Sequence, residues 1–125
     1  MPMRGCTAII IGLAAALNLT ACSDERTAPP PSAEDVQRAT GLLPTDARLA
    51  DLYRQSCRAC HTIAGSGAPL TGHREAWDVR WEKGAEALRS STIRGLNGMP
   101  AGGQCFACTV RDYDELIRFM AGRSG

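Results

Sequence analysis

Aromatic side chains are scarce in this 125-residue chain: Trp, Tyr and Phe occur twice each and make up 5% of the residues. Glycine and proline, at 13 and 7, outnumber them, which is thin material for a core in a chain that can bury only part of its surface. Net charge is also nearly absent. The 14 Lys and Arg oppose 13 Asp and Glu, and residues 1–21 carry only Arg4, so the remainder is balanced. That balance argues against a nucleic-acid partner. A second folded domain is not expected, since domains commonly run to roughly 100–150 residues. The longest apolar run, Thr7 to Leu19 broken by Asn18, is too short to span a bilayer. Cysteine, by contrast, is abundant, with six in the chain. Small domains short of core are usually held by disulfides, a metal or a bound cofactor, and these cysteines are available for that purpose.

The positive start Met1 to Arg4 and the apolar run behind it have the form of a secretory signal. The run ends Leu19-Thr20-Ala21-Cys22, which resembles the lipobox of bacterial lipoproteins, in which cleavage before a lipidated cysteine leaves it as the first residue. The expected division is a signal peptide over 1–21, a lipidated and flexible Pro-rich tether over 22–45, and a folded domain over 46–125. An ordinary signal with a chance cysteine, or an uncleaved anchor, is the alternative. Ser23, where an aspartate would hold the protein back, points to sorting to the outer membrane. Ser23 to Ser32 is polar and holds Pro29-Pro30-Pro31, the composition of a solvated tether. Ser32 is placed to cap a short helix over Ala33 to Thr40, with Asp35 as an imperfect capping box and Gly41 as its stop. Fully extended, Cys22 to Thr45 would reach roughly 80 Å.

Thr45 or Asp46 can cap a helix that carries Leu49, Leu52, Tyr53 and Cys57 at three- and four-residue spacing. At its end stands Cys57-Arg58-Ala59-Cys60-His61. In such a CxxCH, two thiols three apart can add to the two vinyl groups of one haem, and the adjacent histidine reaches the iron. Two other readings stay open. A thioredoxin-type thiol pair needs a strand before the motif and a helix after it, the reverse of the order here. Cys57, Cys60, Cys105 and Cys108 could make a four-sulfur zinc site, against which stand the unexplained His61 and a gap between the pairs well beyond the usual roughly 15–20 residues.

The candidate sixth ligand lies in Asn97-Gly98-Met99-Pro100. Gly98 allows close backbone approach, Pro100 stiffens the loop, and the Met99 thioether would raise the reduction potential. Met120 follows the helical pattern Leu116, Ile117, Met120 and reads as core packing. His73, in Gly72-His73-Arg74, reads as a surface histidine, with bis-histidine ligation as its alternative.

Residues from about 46 to 122 resemble the cytochrome c5 group of class I cytochromes c. The shared pattern runs from the CxxCH through Gly67-Ala68-Pro69, Gly72, Ala76-Trp77, Arg80, Lys83-Gly84, Leu88 and Gly95 to Pro100, then Gly102-Gly103, Cys105 and Cys108. The resemblance implies an all-α class I cytochrome c fold of about four helices around one covalent haem c, serving as a single-electron carrier and not an enzyme. It implies a disulfide between Cys105 and Cys108, and a Pro69 carbonyl that accepts from the free nitrogen of His61. It suggests Trp77 against the macrocycle and Arg80 on a propionate, although a core tryptophan and a surface arginine fit those positions nearly as well. A helix from Asp112 to Ala121 should cross the one bearing Tyr53.

The pattern departs from many relatives at Ala101-Gly102, where a lysine is common after Met-Pro, and at Asp78-Val79 before Arg80. Charge near the haem edge is thereby reduced. The expected partners are redox proteins of a bacterial cell envelope, met on its periplasmic side from a lipid anchor. The rival function is a haem enzyme or a gas or peroxide sensor in which Met99 leaves the iron open; a zinc-bound structural lipoprotein is the second rival.

Overall fold

Ser32, Asp46 and Thr109 each turn a side-chain oxygen back onto a backbone N–H of the following turn, and a helix begins behind each of them. The computed structural model describes residues 27–123; the expected signal peptide and Cys22 lie outside the described residues. Helix α1 covers Ala33–Gly41, α2 Ala47–Gln55, α3 Arg58–His61, α4 Arg74–Trp81, α5 Ala85–Arg94 and α6 Val110–Met120, with a 3-10 turn at Ala101–Gln104. Among the described residues there are thus six helices where about four were expected, and the sole extended pairing is an isolated bridge between Leu96 and Met99. No helix among the described residues is long and apolar enough to cross a membrane.

The core forms where α2 and α6 meet, as their apolar spacing predicts. Leu52 and Tyr53 pack with Leu116, Ile117 and Met120, joined by Trp77 of α4. Each such fully buried aliphatic side chain contributes roughly 1.5–3 kcal/mol. The Tyr53 and Phe119 rings meet edge to face at 5.2 Å, the crossing expected of these helices. Burial pushes the Tyr53 phenol above its ordinary pKa, and its hydroxyl is satisfied by Thr71 Oγ1 at 2.8 Å. The loop behind the CxxCH is tied down from both sides: Thr71 N donates to the His61 carbonyl and Gly72 N to that of Met120, each at 2.8 Å.

Helix α1 extends the packed structure toward the N-terminus, into residues expected as tether. The Ser32–Asp35 capping box is complete, and the helix runs one residue further than expected, through Gly41 to a Leu42 cap. Ala39 is fully buried. Arg58 donates to the Thr40 carbonyl at 3.1 Å, and Leu42 packs so close to Gly72 that a Cβ there would stand 2.8 Å from Leu42 Cδ1. Asp78 ion-pairs with Arg123 at 2.6 Å, while that guanidinium lies over the Trp81 ring at 4.7 Å. The departure from the family pattern at Asp78 therefore fastens the C-terminus to α4.

Helix α6 starts two residues before the expected Asp112, because Thr109 and Asp112 cap each other. Thr109 Oγ1 accepts from Asp112 N at 3.3 Å, and the Asp112 carboxylate accepts from Thr109 N at 2.7 Å. The same buried carboxylate takes Arg48 of α2, with Nη2 at 3.0 Å. Those bonds, Arg48 first and then Thr109, hold its pKa far below the ordinary carboxylate value. A depressed carboxylate stabilises the fold above its unfolded-state pKa of about 4, and the contribution is lost as pH falls toward the folded-state value. Asp112→Asn should accordingly lower the melting temperature at neutral pH and flatten its decline below about pH 4, read by thermal denaturation across pH. Thr109→Ala removes the cap and should cost about 1 kcal/mol, a melting-temperature loss of roughly 4–8 °C for a domain of this size.

Candidate functional site

Ser56 breaks helix α2 with a non-helical conformation, φ −127° and ψ −67°, and the chain re-enters a helix at once as α3. Cys57, Cys60 and His61 thus share one short turn, closed by His61 N donating to the Cys57 carbonyl at 3.1 Å. The His61 side chain is buried. Its Nδ1 donates to the Pro69 carbonyl at 2.8 Å, which leaves Nε2 as the nitrogen free to bind a metal. Burial pushes the imidazole pKa down, opposed by the Pro69 bond, and the Arg80 charge adds to the fall; the ring is neutral near pH 7, as a ligand must be. Cys57 and Cys60 are both free thiols, Cys60 exposed, and burial pushes the Cys57 thiol pKa up to about 11.

These side chains line a cavity of about 430 Å³, within the range of about 300–1,000 Å³ usual for ligand and cofactor sites. Met99, Pro69, Trp77 and Arg80 line it too, so every expected haem contact reaches one space. Met99 is fixed through its backbone: its N–H donates to the Leu96 carbonyl at 2.9 Å, and Leu96 N returns the bond to the Met99 carbonyl at 3.1 Å. Gly95, at φ +85°, enables this turn, since a Cβ there would stand 2.9 Å from the Met99 carbonyl oxygen. In the turn itself the positive φ falls on Asn97, at +53°, and not on Gly98. Gly98 lines the cavity, and no protein atom lies within 4 Å of where its Cβ would be.

Trp77 stands against the histidine. Its ring lies 5.8 Å from the His61 imidazole at an interplanar angle of 23°, and its Nε1 donates to the Leu70 carbonyl at 2.8 Å. Arg80 spends one donor on the Ala76 carbonyl at 2.7 Å, which leaves four of its roughly five N–H donors for other partners. Cys105 and Cys108 are joined as a disulfide, their Cα atoms 5.4 Å apart. That bond removes both sulfurs from a four-sulfur zinc site, and no cluster of metal-binding side chains occurs among the described residues. Met120 is buried in the core and also reaches the cavity.

His73 is not the surface residue expected. It is buried at the start of α4, its Nε2 3.6 Å from the Glu75 carboxylate, and it does not line the cavity. Loop-like composition around it gave no sign that Leu70, Thr71 and Gly72 pack it inward.

Sequence reasoning missed the far wall. Helix α5 buries none of its residues; its Leu88, Ser91 and Thr92 line the cavity instead. Arg89 clamps it to α6 through Asp114 at 2.9 Å. The Tyr113 hydroxyl is shared between the Gly102 and Cys105 carbonyls at 3.3 and 3.1 Å. A helix with no fully buried residue, two free thiols, a metal-ready imidazole and a thioether around one largely apolar space fit a covalently attached haem.

Comparison with known proteins agrees with this geometry. Residues 44–120 match the family model described as cytochrome c oxidase, cbb3-type, subunit III. Cytochrome c5 of Azotobacter vinelandii is 32% identical over 74 residues, which cover 58% of this chain and 89% of that protein. Cytochrome c-555 of Chlorobaculum thiosulfatiphilum is 32% identical over 76 residues, covering 58% and 88%. Among solved structures, a chain from the electron-transfer complex of nitrite reductase with cytochrome c matches at 28% identity and a TM-score of 0.55, over 66% of this chain and 98% of that one. The chain belongs to the class I c-type cytochromes, as a monohaem protein that carries haem c and passes electrons between redox proteins without acting as an enzyme.

Proposed function

We propose that the chain is a lipid-anchored envelope cytochrome in which Cys57 and Cys60 hold the haem by thioethers, with His61 and Met99 as the axial ligands of its iron. The observation that carries this reading is the single cavity that the CxxCH lines together with Met99, with His61 Nδ1 already bonded to Pro69. When bound, the haem supplies a one-electron couple at the iron. The protein's part is to hold the ligands still. The Pro69 carbonyl orients the imidazole and raises its basicity, Trp77 restrains its rotation, and the Leu96–Met99 pairing presents the thioether with little freedom left to lose. Arg80, which lines the cavity, would neutralise a propionate. The Cys105–Cys108 disulfide closes the loop behind Met99, where an oxidising compartment would keep it formed. Electrons would leave through the haem edge at the Cys57 and Cys60 attachments.

Cys22 would carry the lipid, with the domain on the periplasmic side and the outer membrane as the destination that Ser23 favours. With α1 docked on the domain, the free tether shortens to 22–31, a reach of roughly 35 Å.

The test is the visible spectrum and the denatured intact mass of the domain produced with haem-maturation machinery. A haem-sized mass increment with a low-spin spectrum and a thioether-to-iron charge-transfer band is expected; a high-spin spectrum would remove Met99 from the iron and restore the enzyme or sensor reading. Met99→Ala should convert the protein to a form that binds carbon monoxide when reduced and should lower the midpoint potential by at least about 0.1 V, within the roughly 0.8 V that axial ligands command. In cells, Cys22→Ser should move the protein from the membrane to the soluble fraction and abolish labelling by a fatty acid; retention of both would sink the anchor.

A further inference from the structure

Charge is missing around the mouth of the haem cavity over two long stretches. No Asp, Glu, Lys or Arg occurs from Ala59 to His73 or from Gly95 to Val110, and Arg80 is the sole such side chain in the cavity wall. In these stretches stand four large apolar side chains in water: Ile63 at 55% exposure, Leu96 at 56%, Val110 at 58% and Phe106 at 98%. Phe106 is the extreme case. An aromatic ring that hides almost none of its surface adds nothing to the fold, and its exposure opposes the hydrophobic effect.

Nor is this ring on a slack loop. It sits inside the four-residue disulfide loop Cys105–Cys108, where Phe106 N donates to the Gln104 carbonyl and Cys108 N to that of Cys105, both at 3.2 Å. Beside it a groove of about 360 Å³ runs between the end of α2 and the loop, lined by Leu52, Gln55, Cys105 and Ala107 as well as Phe106. Ser56 and Gln104 line both this groove and the haem cavity, so the groove opens beside Cys57.

We propose that Phe106 and this groove form the docking face for a redox protein whose own cofactor edge is ringed by uncharged, apolar side chains. This inference rests on the electron-carrier reading and names the class of partner. The Phe106 ring enters an apolar recess on the partner, and a projecting apolar side chain of the partner enters the groove. The contact excludes water beside Cys57, where the two cofactors come closest. Electron-transfer encounters are small, below about 1,200 Å² of buried surface, and short-lived, so one well-placed ring carries a large share of the contact. With no charges to pair, the rate of encounter does not depend on screening. A charge-steered partner would have to use the arginines that border the two stretches, Arg58, Arg74, Arg94 and Arg111.

Stopped-flow mixing of the reduced, haem-loaded protein with an oxidised blue-copper protein whose copper edge is ringed by uncharged apolar residues tests this. The wild-type second-order rate constant should change less than about twofold between roughly 0.01 and 1 M salt, where the screening length falls from about 30 to 3 Å. Phe106→Asp should lower that constant about tenfold and Phe106→Leu no more than about threefold, with the visible spectrum, midpoint potential and melting temperature unchanged in both. A rate that falls tenfold or more with salt overturns the proposal in favour of the bordering arginines, and an unaltered rate in Phe106→Asp overturns it outright. Failure of dithionite to reduce the wild-type haem reversibly would overturn the carrier reading, and the docking face with it; normal reduction and reoxidation confine any failure to the docking face.

Discussion

The His61 imidazole is fixed by contacts that bring distant parts of the chain together. Its ring donates to Pro69 and stacks on Trp77, its backbone carbonyl receives Thr71, and its backbone N–H closes the turn begun at Cys57. Helix α4 and the loop from Pro69 to Gly72 are therefore placed with reference to one side chain. A haem iron needs its proximal nitrogen in a defined direction, and a ring held by one hydrogen bond and one stacked face has little freedom to depart from it. The stacking also accounts for Trp77 better than contact with a macrocycle alone, because its Nε1 bond to Leu70 fixes the indole independently of any cofactor.

Opposite this histidine the chain spends few apolar residues. No residue of helix α5 is fully buried; Leu88 packs partly buried against the core, and the Arg89–Asp114 pair holds the helix to α6. A protein with six aromatic side chains cannot fill its own centre, and it does not need to where a large apolar cofactor is covalently attached. The thioether loop illustrates the same economy. Gly95 and the two bonds between Leu96 and Met99 build a rigid platform from backbone alone, and the Tyr113 hydroxyl holds the glycine turn that follows it.

The N-terminal helix changes how the domain hangs from its anchor. From Ser32 onward, in residues expected as tether, the capping box and the buried Ala39 make α1 part of the body. Because Arg58 of the CxxCH reaches the Thr40 carbonyl, the C-terminal end of α1 is fastened next to the haem attachment. An anchor at Cys22 would then restrict the directions in which the cavity mouth can face.

The CxxCH, the methionine between a glycine and a proline, the second cysteine pair and the periodic helices around Tyr53 and Leu116 were legible in the sequence, because each depends on local spacing: a thiol three residues from a thiol, a turn after a thioether, apolar side chains every three or four positions. Helix boundaries were legible to within two residues where a capping side chain marks them, as at Ser32, Asp46 and Thr109. His73 was not, since burial of a residue in a glycine-flanked loop is set by what packs over it and leaves no periodic trace. Nor was the role of α5, whose residues look like an ordinary surface helix until the cavity they line is seen. The sequence by itself determined which groups could bind haem and in what order they occur. Only the tertiary structure decided that Pro69, Trp77, Arg80 and Met99 line the same space as His61, because their meeting depends on long-range packing of α2 against α6 and on ion pairs between residues far apart in the chain.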